Sequence, residues 1–290
     1  MKVVLGGAFG HLGSDVLKQL VKQGHDVVAL DLKDRPLEVK GKGSYKFYSV
    51  DLTNPETIKG LCDGADVVIT TVGLVSKSTK FTPYDIDYQG NLNLLREAEK
   101  AGVKNFAYIS VIKVDEAPEV PLLDAKAKFE AELKKSSLKW VIFRPTGYFF
   151  DIAHVFMPMI KKGKVMLLTR KNHPVNVIDT KDFAEYIVDH MLDEGKTISI
   201  GGTEIYTYEE IAKMFFAAAH KKAKISRVPA FLFDLIARKA EKAEVQDGTA
   251  GLVRFSKFTL THDLVGDVKY GKSSFKEYIA SRYDENGEEK

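Results

Sequence analysis

Lys2-Val3-Val4-Leu5-Gly6-Gly7-Ala8-Phe9-Gly10-His11-Leu12-Gly13, running on through Val16, Leu17, Leu20 and Val21, decides the fold. A short apolar run bounded by glycine reads as a buried strand. Leu12, Val16, Leu17, Leu20 and Val21 then recur at helical spacing, and Gly24 stands where that helix should end. The period changes from strand to helix within the glycine loop, and each glycine has a mechanical role there. Gly7 permits the tight turn, Gly10 lets the backbone approach a pyrophosphate, and Gly13 lets the helix pack closely on the sheet. The helix amides and dipole would then meet the phosphate charge. A glycine triplet alone is weak, but a strand before it and a helix after it supply the context it needs.

The alternation continues outward. Runs rich in valine and isoleucine recur at Asp26–Leu30, Tyr45–Val50, Asp66–Thr70, Asn105–Ile109 and Lys139–Phe143. These read as strands buried on both faces. Leu92, Leu94, Leu95, Ala98 and Ala101 mark another helix, closed at Gly102. The pattern predicts right-handed βαβ crossovers and a doubly wound parallel α/β sheet of the Rossmann type, with about seven strands.

After residue 145 the pattern changes. A Phe- and Met-rich stretch, Tyr148–Met159, precedes a basic loop, and short strands are expected at Val175–Ile178 and Thr197–Gly201, both rejoining the sheet. Thr207-Tyr208-Glu209-Glu210 is a capping box opening a helix through Ala217. A further helix is expected over Pro229–Glu244, and the charged tail Arg282–Lys290 is expected to fray. The organisation predicted is a dinucleotide-binding domain over residues 1–150 and a smaller, mainly helical domain over residues 151–290. A cleft between them would be lined by Gly73–Ser76, Ser110–Lys113 and Pro145–Phe150.

Composition narrows the classes. Across 290 residues, 43 Lys and Arg face 40 Asp and Glu. The basic clusters Lys134-Lys135, Lys161-Lys162-Gly163-Lys164 and Lys221-Lys222 are short and interrupted, and read as solvated loops or helix ends rather than a nucleic-acid surface. The single cysteine, Cys62, excludes an internal disulfide and a cysteine metal site, and reads as a small buried hydrophobe. Seven histidines are scattered without metal-ligand spacing. No Gly-x-Ser-x-Gly elbow supports acyl hydrolysis. The chain enters its first strand at once and holds no apolar run of membrane-spanning length. A cytoplasmic protein is expected.

The second strand ends at Asp31, 18 residues past Gly13. A carboxylate there can accept from both adenosine ribose hydroxyls and repels a 2′-phosphate. That favours NAD(H), while Lys33 and Arg35 could offset the repulsion and leave NADP(H) open. Asp51-Leu52 would border the adenine, and Thr71-Val72-Gly73 would lie under the middle of the cofactor.

Longer motifs carry a family likeness. They are Tyr88-Gln89-Gly90-Asn91-Leu92-Asn93-Leu94-Leu95, the stretch from Ala101 to Tyr108-Ile109-Ser110, and Phe143-Arg144-Pro145-Thr146-Gly147-Tyr148-Phe149-Phe150. With the glycine loop and Asp51-Leu52, they resemble the extended and atypical short-chain dehydrogenase/reductase superfamily. The wording is closest to its NmrA-like and complex I accessory-subunit-like branch, which includes reductases and redox sensors. The resemblance covers nearly the whole chain and implies an NAD(P)-binding, oxidoreductase- or epimerase-like protein. It also implies that Lys126 holds the nicotinamide ribose and that Ser110 is the family's serine after the fifth strand. The residues thereby assigned to the dinucleotide are Gly7, Phe9, Gly10, His11, Leu12, Gly13, Asp31, Leu32, Lys33, Asp51, Leu52, Thr71, Val72, Gly73, Lys126 and Pro145.

One departure matters. Typical members pair that lysine with a tyrosine four residues earlier, which exchanges a proton with the substrate. Here that position is Leu122, which cannot. Tyr148, Tyr84, Tyr88, Lys126 itself or a bound water would have to supply the proton. Two readings follow. One is an NAD(P)-dependent enzyme acting on a small carbonyl compound. The other is a non-catalytic protein that uses the dinucleotide as a structural or sensing ligand and engages a protein partner.

Overall fold

The structure is a computed structural model describing residues 1–35, 37–74, 78, 80–168, 172–242 and 248–290. Val75 and Ser76 of the expected cleft, and Glu244 of the expected helix, lie outside these. The opening stretch forms β1 (Lys2–Gly6), the glycine loop and α1 (His11–Lys22). There follow β2 (Asp26–Asp31), β3 (Ser44–Ser49), β4 (Val67–Thr70), α2 (Asn91–Lys100), β5 (Asn105–Ile109), α3 (Pro121–Lys135), β6 (Lys139–Pro145) and α4 (Phe149–Lys161). Then come β7 (Val165–Leu168), β8 (Pro174–Val175), α5 (Thr180–His190), β9 (Lys196–Gly201), β10 (Tyr206–Thr207), α6 (Tyr208–Ala218) and β11 (Ile225–Val228). The last elements are α7 (Phe231–Glu241), α8 (Thr249–Thr261), β12 (Val268–Lys269) and α9 (Phe275–Ser281).

Among the described residues, eight strands form the main sheet in the order β12-β9-β6-β5-β4-β1-β2-β3. The ladders joining β3, β2, β1, β4, β5 and β6 are all parallel. β4 is buried throughout and β1 and β5 nearly so, as strands covered on both faces must be. β3 departs from that expectation: it is exposed or half-buried along its length because it is the sheet's outer edge. The order reverses at β1, flanked by β4 and β2, which creates the switch point where such sheets bind ligands beyond their carboxyl ends.

Gly13 makes that switch point possible. A Cβ there would lie 1.9 Å from the Gly7 carbonyl oxygen, so no side chain fits without displacing the loop. Gly13→Ala is expected to lower the unfolding free energy by about 1–3 kcal/mol, read from a urea titration.

The chain divides into two compact units, Met1–Arg144 with Phe183–Ile198, and Pro145–Asp182 with Ser199–Lys290. In the first, Val4, Val68, Leu94, Phe106, Tyr108, Phe129 and Ile142 share one core. The Phe129 ring meets Tyr108 edge-on at 4.6 Å and so seats α3 on β5. Cys62 belongs to this core, where burial, then Glu97 and Asp63, push its thiol up to about 12. It is protonated and inert at neutral pH.

In the second unit the Phe- and Met-rich stretch is α4, and it serves the core. Phe149 packs on Phe275 of α9 at 4.7 Å and Phe156 on Phe215 of α6 at 5.6 Å. The capping box forms as expected at Thr207 and Glu210. Val175–Ile178 is not one strand. β8 pairs antiparallel with β10, outside the main sheet, and Ile178 makes a single bridge to Tyr148. Between them, buried Asn176 donates to the Gly202 carbonyl at 2.9 Å and accepts the Gly266 amide at 3.0 Å, so its side chain replaces a strand ladder. The tail also differs from its expected fraying. Asp284 accepts the amides of Asn286 and Glu288 at 2.9 and 2.8 Å, and the Lys290 amide returns to the Arg282 carbonyl. An aspartate that organises its own turn was the missed signal. Among the described residues, no helix is long and apolar enough to cross a membrane.

Candidate functional site

Asp31 closes the glycine loop onto the sheet. Its Oδ2 accepts the Phe9 amide at 2.9 Å and its Oδ1 the Leu32 amide at 2.7 Å. Each oxygen keeps a second lone pair, so the carboxylate can still accept from a ligand. Phe9 can offer a ligand only its backbone, since its ring packs on Phe47 and Tyr45 at 5.3 and 6.3 Å. The Leu12 side chain is likewise buried, while His11 is exposed. No side chain caps α1, whose N-cap is Gly10, and so its first turn remains available to an anion.

Contacts continue along the strand ends. The Thr71 hydroxyl donates to the Gly6 and Gly7 carbonyls at 3.1 and 3.2 Å and ties the end of β4 to the loop. At Gly73 an added Cβ would lie 2.8 Å from Asp87 Oδ1 and 3.2 Å from Lys126 Nζ. Its lack of a side chain lets both groups reach the end of β4. Lys126 Nζ in turn donates to the Ile109 carbonyl at 3.4 Å, one residue before Ser110. Asp31, the glycine loop, Thr71, Gly73, Lys126 and Ser110 therefore line the carboxyl ends of β2, β1, β4 and β5. Asp51 Oδ1 holds the Thr53 amide and hydroxyl, and the Leu52 carbonyl accepts from Asn93 at 2.8 Å. Leu32 and Lys33 are exposed.

Lys126 is buried in α3, not on its surface. Its Nζ lies 3.0 Å from Asp87 Oδ1 and donates to the Tyr108 hydroxyl at 3.5 Å. Asp87 is fully buried on a wide π-helical turn, Tyr84–Gly90, and its Oδ2 accepts the Leu74 amide at 2.9 Å. Oδ1 is in ion contact with Lys126 but lacks a well-aligned hydrogen bond. Burial opposes the charge on Lys126, yet the Tyr108 oxygen and the Asp87 carboxylate outweigh it and hold the ammonium above its ordinary value. Burial pushes the Tyr108 phenol up as well, so it is a neutral hydroxyl at neutral pH.

Ser110 is buried, and its amide donates to the Phe143 carbonyl at 2.8 Å. Its hydroxyl faces the Glu130 carboxylate without a bond of good geometry. Glu130, also buried, is gripped by Arg144 through Nε at 2.9 Å and Nη2 at 2.6 Å, and Arg144 also reaches Asp115 at 2.9 Å. Burial works against the Glu130 carboxylate, but Arg144 overrides it and keeps the group below its ordinary value.

The tyrosines proposed in place of the missing phenol occupy different settings. Tyr84 donates to Asp124 at 2.7 Å, and burial followed by that bond raises its phenol. Tyr88 packs against the core of the first unit. Pro145 and Tyr148 belong to the second unit, where Pro145 ends β6 and Tyr148 is the N-cap of α4. Burial, then Asp151, raises the Tyr148 phenol.

Asp87, Asn91, Tyr108 and Glu130 were not singled out from sequence. A signal existed for two of them. Asp87 and Asn91 stand four apart just before the apolar stripe of α2, and polar groups at that spacing on a core-facing side imply a buried polar site. Asn91 donates to the Asp87 carbonyl at 3.0 Å and accepts from Thr70 at 2.6 Å, locking the wide turn to β4.

A family model described as NAD(P)H-binding matches residues 7–194, well over half of the chain. The chain belongs to the NAD(P)H-binding family. It is 28% identical over 232 residues to the photosystem II assembly factor Ycf39 of Synechocystis, covering 79% of this chain and 71% of that protein. It is 29% identical over 264 residues to the chloroplastic divinyl chlorophyllide a 8-vinyl-reductase of Arabidopsis thaliana, covering 81% of this chain and 62% of the reductase. Two solved structures share the fold at a TM-score of 0.71. A nucleoside-diphosphate-sugar epimerase from Staphylococcus aureus matches at 18% identity over 97% of this chain and 96% of its own. An NADPH-dependent quinone oxidoreductase from Escherichia coli matches at 17% over 97% and 99%.

Proposed function

We propose that this member of the NAD(P)H-binding family is an oxidoreductase acting on a small carbonyl compound, with a Lys126–Asp87 pair standing in for the usual tyrosine–lysine pair. The observation that carries this reading is the Lys126 ammonium, held charged by a fully buried carboxylate at the end of β4. The chain fits a dinucleotide. The uncapped start of α1 and the close approach at Gly13 suit the pyrophosphate, and Asp31 retains acceptors for the adenosine ribose. Its negative charge favours NAD(H) over NADP(H). Thr71, Val72 and Gly73 would run under the middle of the cofactor, with Lys126 donating to the nicotinamide ribose. The bound cofactor would supply or accept the hydride. A carbonyl receiving hydride also needs a proton; Lys126 would be its charged donor, and the Ser110 hydroxyl would orient the oxygen. Tyr148 is the alternative donor.

Calorimetric titration with NAD, NADH, NADP and NADPH tests the cofactor assignment. Binding of NAD or NADH, weakened at least about tenfold in Asp31→Ala, is expected because hydrogen bonds to charged groups are lost. No binding to any of the four by folded, nucleotide-free protein overturns it. Turnover is sought by nicotinamide absorbance across carbonyls, enones and nucleotide sugars, with Lys126→Ala expected to reduce it far more than Lys128→Ala. Equal effects of the two would remove Lys126 from the chemistry. Tyr148→Phe, measured alongside, separates the two proton donors.

Leu122 favours a second reading, in which the dinucleotide is a structural or sensing ligand for a protein that engages a partner. The likeness to an assembly factor supports this reading too. A partner that binds equally well with oxidised and reduced cofactor would sink the sensing version.

A further inference from the structure

Ala237 is the buried residue of α7. Residues advance about 100° each around a helix, so the side opposite Ala237 carries Leu235 and Lys239, with Leu232 and Lys242 next to them and Phe231, Ile236 and Arg238 at its edges. Phe231 is 63% exposed and Leu235 61%, the two most exposed large apolar side chains among the described residues. Both carboxylates of α7 turn the other way. Asp234 accepts from Lys257 of α8 at 2.7 and 2.8 Å, and Glu241 accepts from Arg254 of α8 at 2.6 Å. Arg238, Lys239 and Lys242 form no salt bridge among the described residues. The outward side of α7 is thus apolar in its first half, cationic in its second, and free of acid.

We propose that this side of α7 docks on the surface of an anionic lipid membrane. Exposed Phe and Leu beside Arg and Lys, with the acids turned toward α8, is how a helix lies in a bilayer interface: the apolar groups enter the acyl boundary and the cations meet the headgroups. A second copy of the chain suits this side poorly. A two-fold contact along α7 would bury three cations of each copy against apolar side chains or one another, with no carboxylate on this side to meet them. α8 meets α7 through the acids of α7, with Lys257 on Asp234 and Arg254 on Glu241. Membrane attachment would be peripheral, because no described helix can span a bilayer.

The test is co-sedimentation of the full chain with vesicles of equal parts phosphatidylcholine and phosphatidylglycerol, and with phosphatidylcholine alone. Protein is expected to pellet with the anionic vesicles and to remain in solution with the neutral ones. High salt should release it, because attraction between exposed charges is screened. The double variant Leu235→Glu/Ile236→Glu should reduce partitioning by at least about tenfold while melting like the parent, since both side chains already face solvent. Arg238→Gln/Lys239→Gln/Lys242→Gln leaves the apolar groups intact and should remove most of the salt-sensitive binding. Failure to pellet with anionic vesicles overturns the proposal, as does binding that neither variant weakens. A dimer in light scattering that the glutamate variant dissociates also overturns it, assigning the surface to a second copy.

Discussion

Asp87→Ala is expected to destabilise the protein by about 3–5 kcal/mol at neutral pH, the usual cost of stranding one partner of a buried ion pair. Asp87 is fully buried and the Lys126 side chain only 11% exposed, so solvent can do little to compensate the orphaned ammonium. The Leu74 amide would lose its acceptor as well. The response to pH gives the variant a signature of its own. In the parent, Lys126 has its folded value raised, so its contribution is complete below the ordinary lysine range near ~10.4 and fades only as pH rises past that. Without Asp87 the Tyr108 hydroxyl, uncharged at neutral pH, is left to offset burial, and its weaker hold lets burial pull the ammonium down. The penalty is then largest at neutral pH and shrinks as alkali removes the proton. Urea titrations at neutral and mildly alkaline pH should therefore show the gap between parent and variant narrowing. A constant gap would mean that Lys126 escapes to solvent. Asp87→Leu combined with Lys126→Met should recover most of the stability, because apolar groups can replace a buried pair at little cost. That double variant would still lose whatever Lys126 does for the cofactor. Stability and dinucleotide affinity, measured together, separate the two roles of the pair.

How far the sequence could be read follows from the distance over which each feature is determined. β1, the glycine loop and α1 were legible because the change of period and all three glycines fall within one short stretch. Asp31 was legible by its spacing from Gly13, and the capping box at Thr207 by its own four residues. Lys126 was placed by its motif, but its burial was not visible. Lys126, Glu130 and Lys134 repeat every four residues, the spacing of a solvated helix face, and only contact with Asp87, Tyr108 and Arg144 from other elements turns part of that face inward. β12 is two residues long and has no period to detect. The stretch Phe231–Ile236 falls within the helix expected over Pro229–Glu244, and the structure leaves Phe231 and Leu235 in solvent, an outcome that nothing local to the sequence announces.

Arg144→Met should reverse the sign of the protein's acid response near the site. In the parent, Arg144 holds the Glu130 carboxylate below its ordinary value. Glu130 therefore contributes stability above the ordinary glutamate range near ~4.3, and that contribution is lost as acid titrates the folded carboxylate. Removing the guanidinium leaves a carboxylate that is 2% exposed, with Lys134 at 3.2 Å as its remaining cation. Lys134 is 38% exposed and its attraction is screened, so burial should then prevail and raise the Glu130 value above its unfolded one. Charged Glu130 would destabilise the variant at neutral pH by about 3–5 kcal/mol, and protonation would relieve that cost as pH falls toward ~5. The parent loses stability over the same descent or holds constant, so the two curves should converge. Curves that stay parallel would show that Glu130 is solvated once Arg144 is gone. The consequence reaches Ser110, because a protonated Glu130 becomes a donor facing the serine hydroxyl where the parent offers only acceptors. If Ser110 orients a substrate oxygen, the variant's turnover should acquire a pH dependence that follows Glu130, while its dinucleotide affinity stays close to the parent's. A change in affinity without a change in the pH profile would instead confine the network to shaping the strand ends.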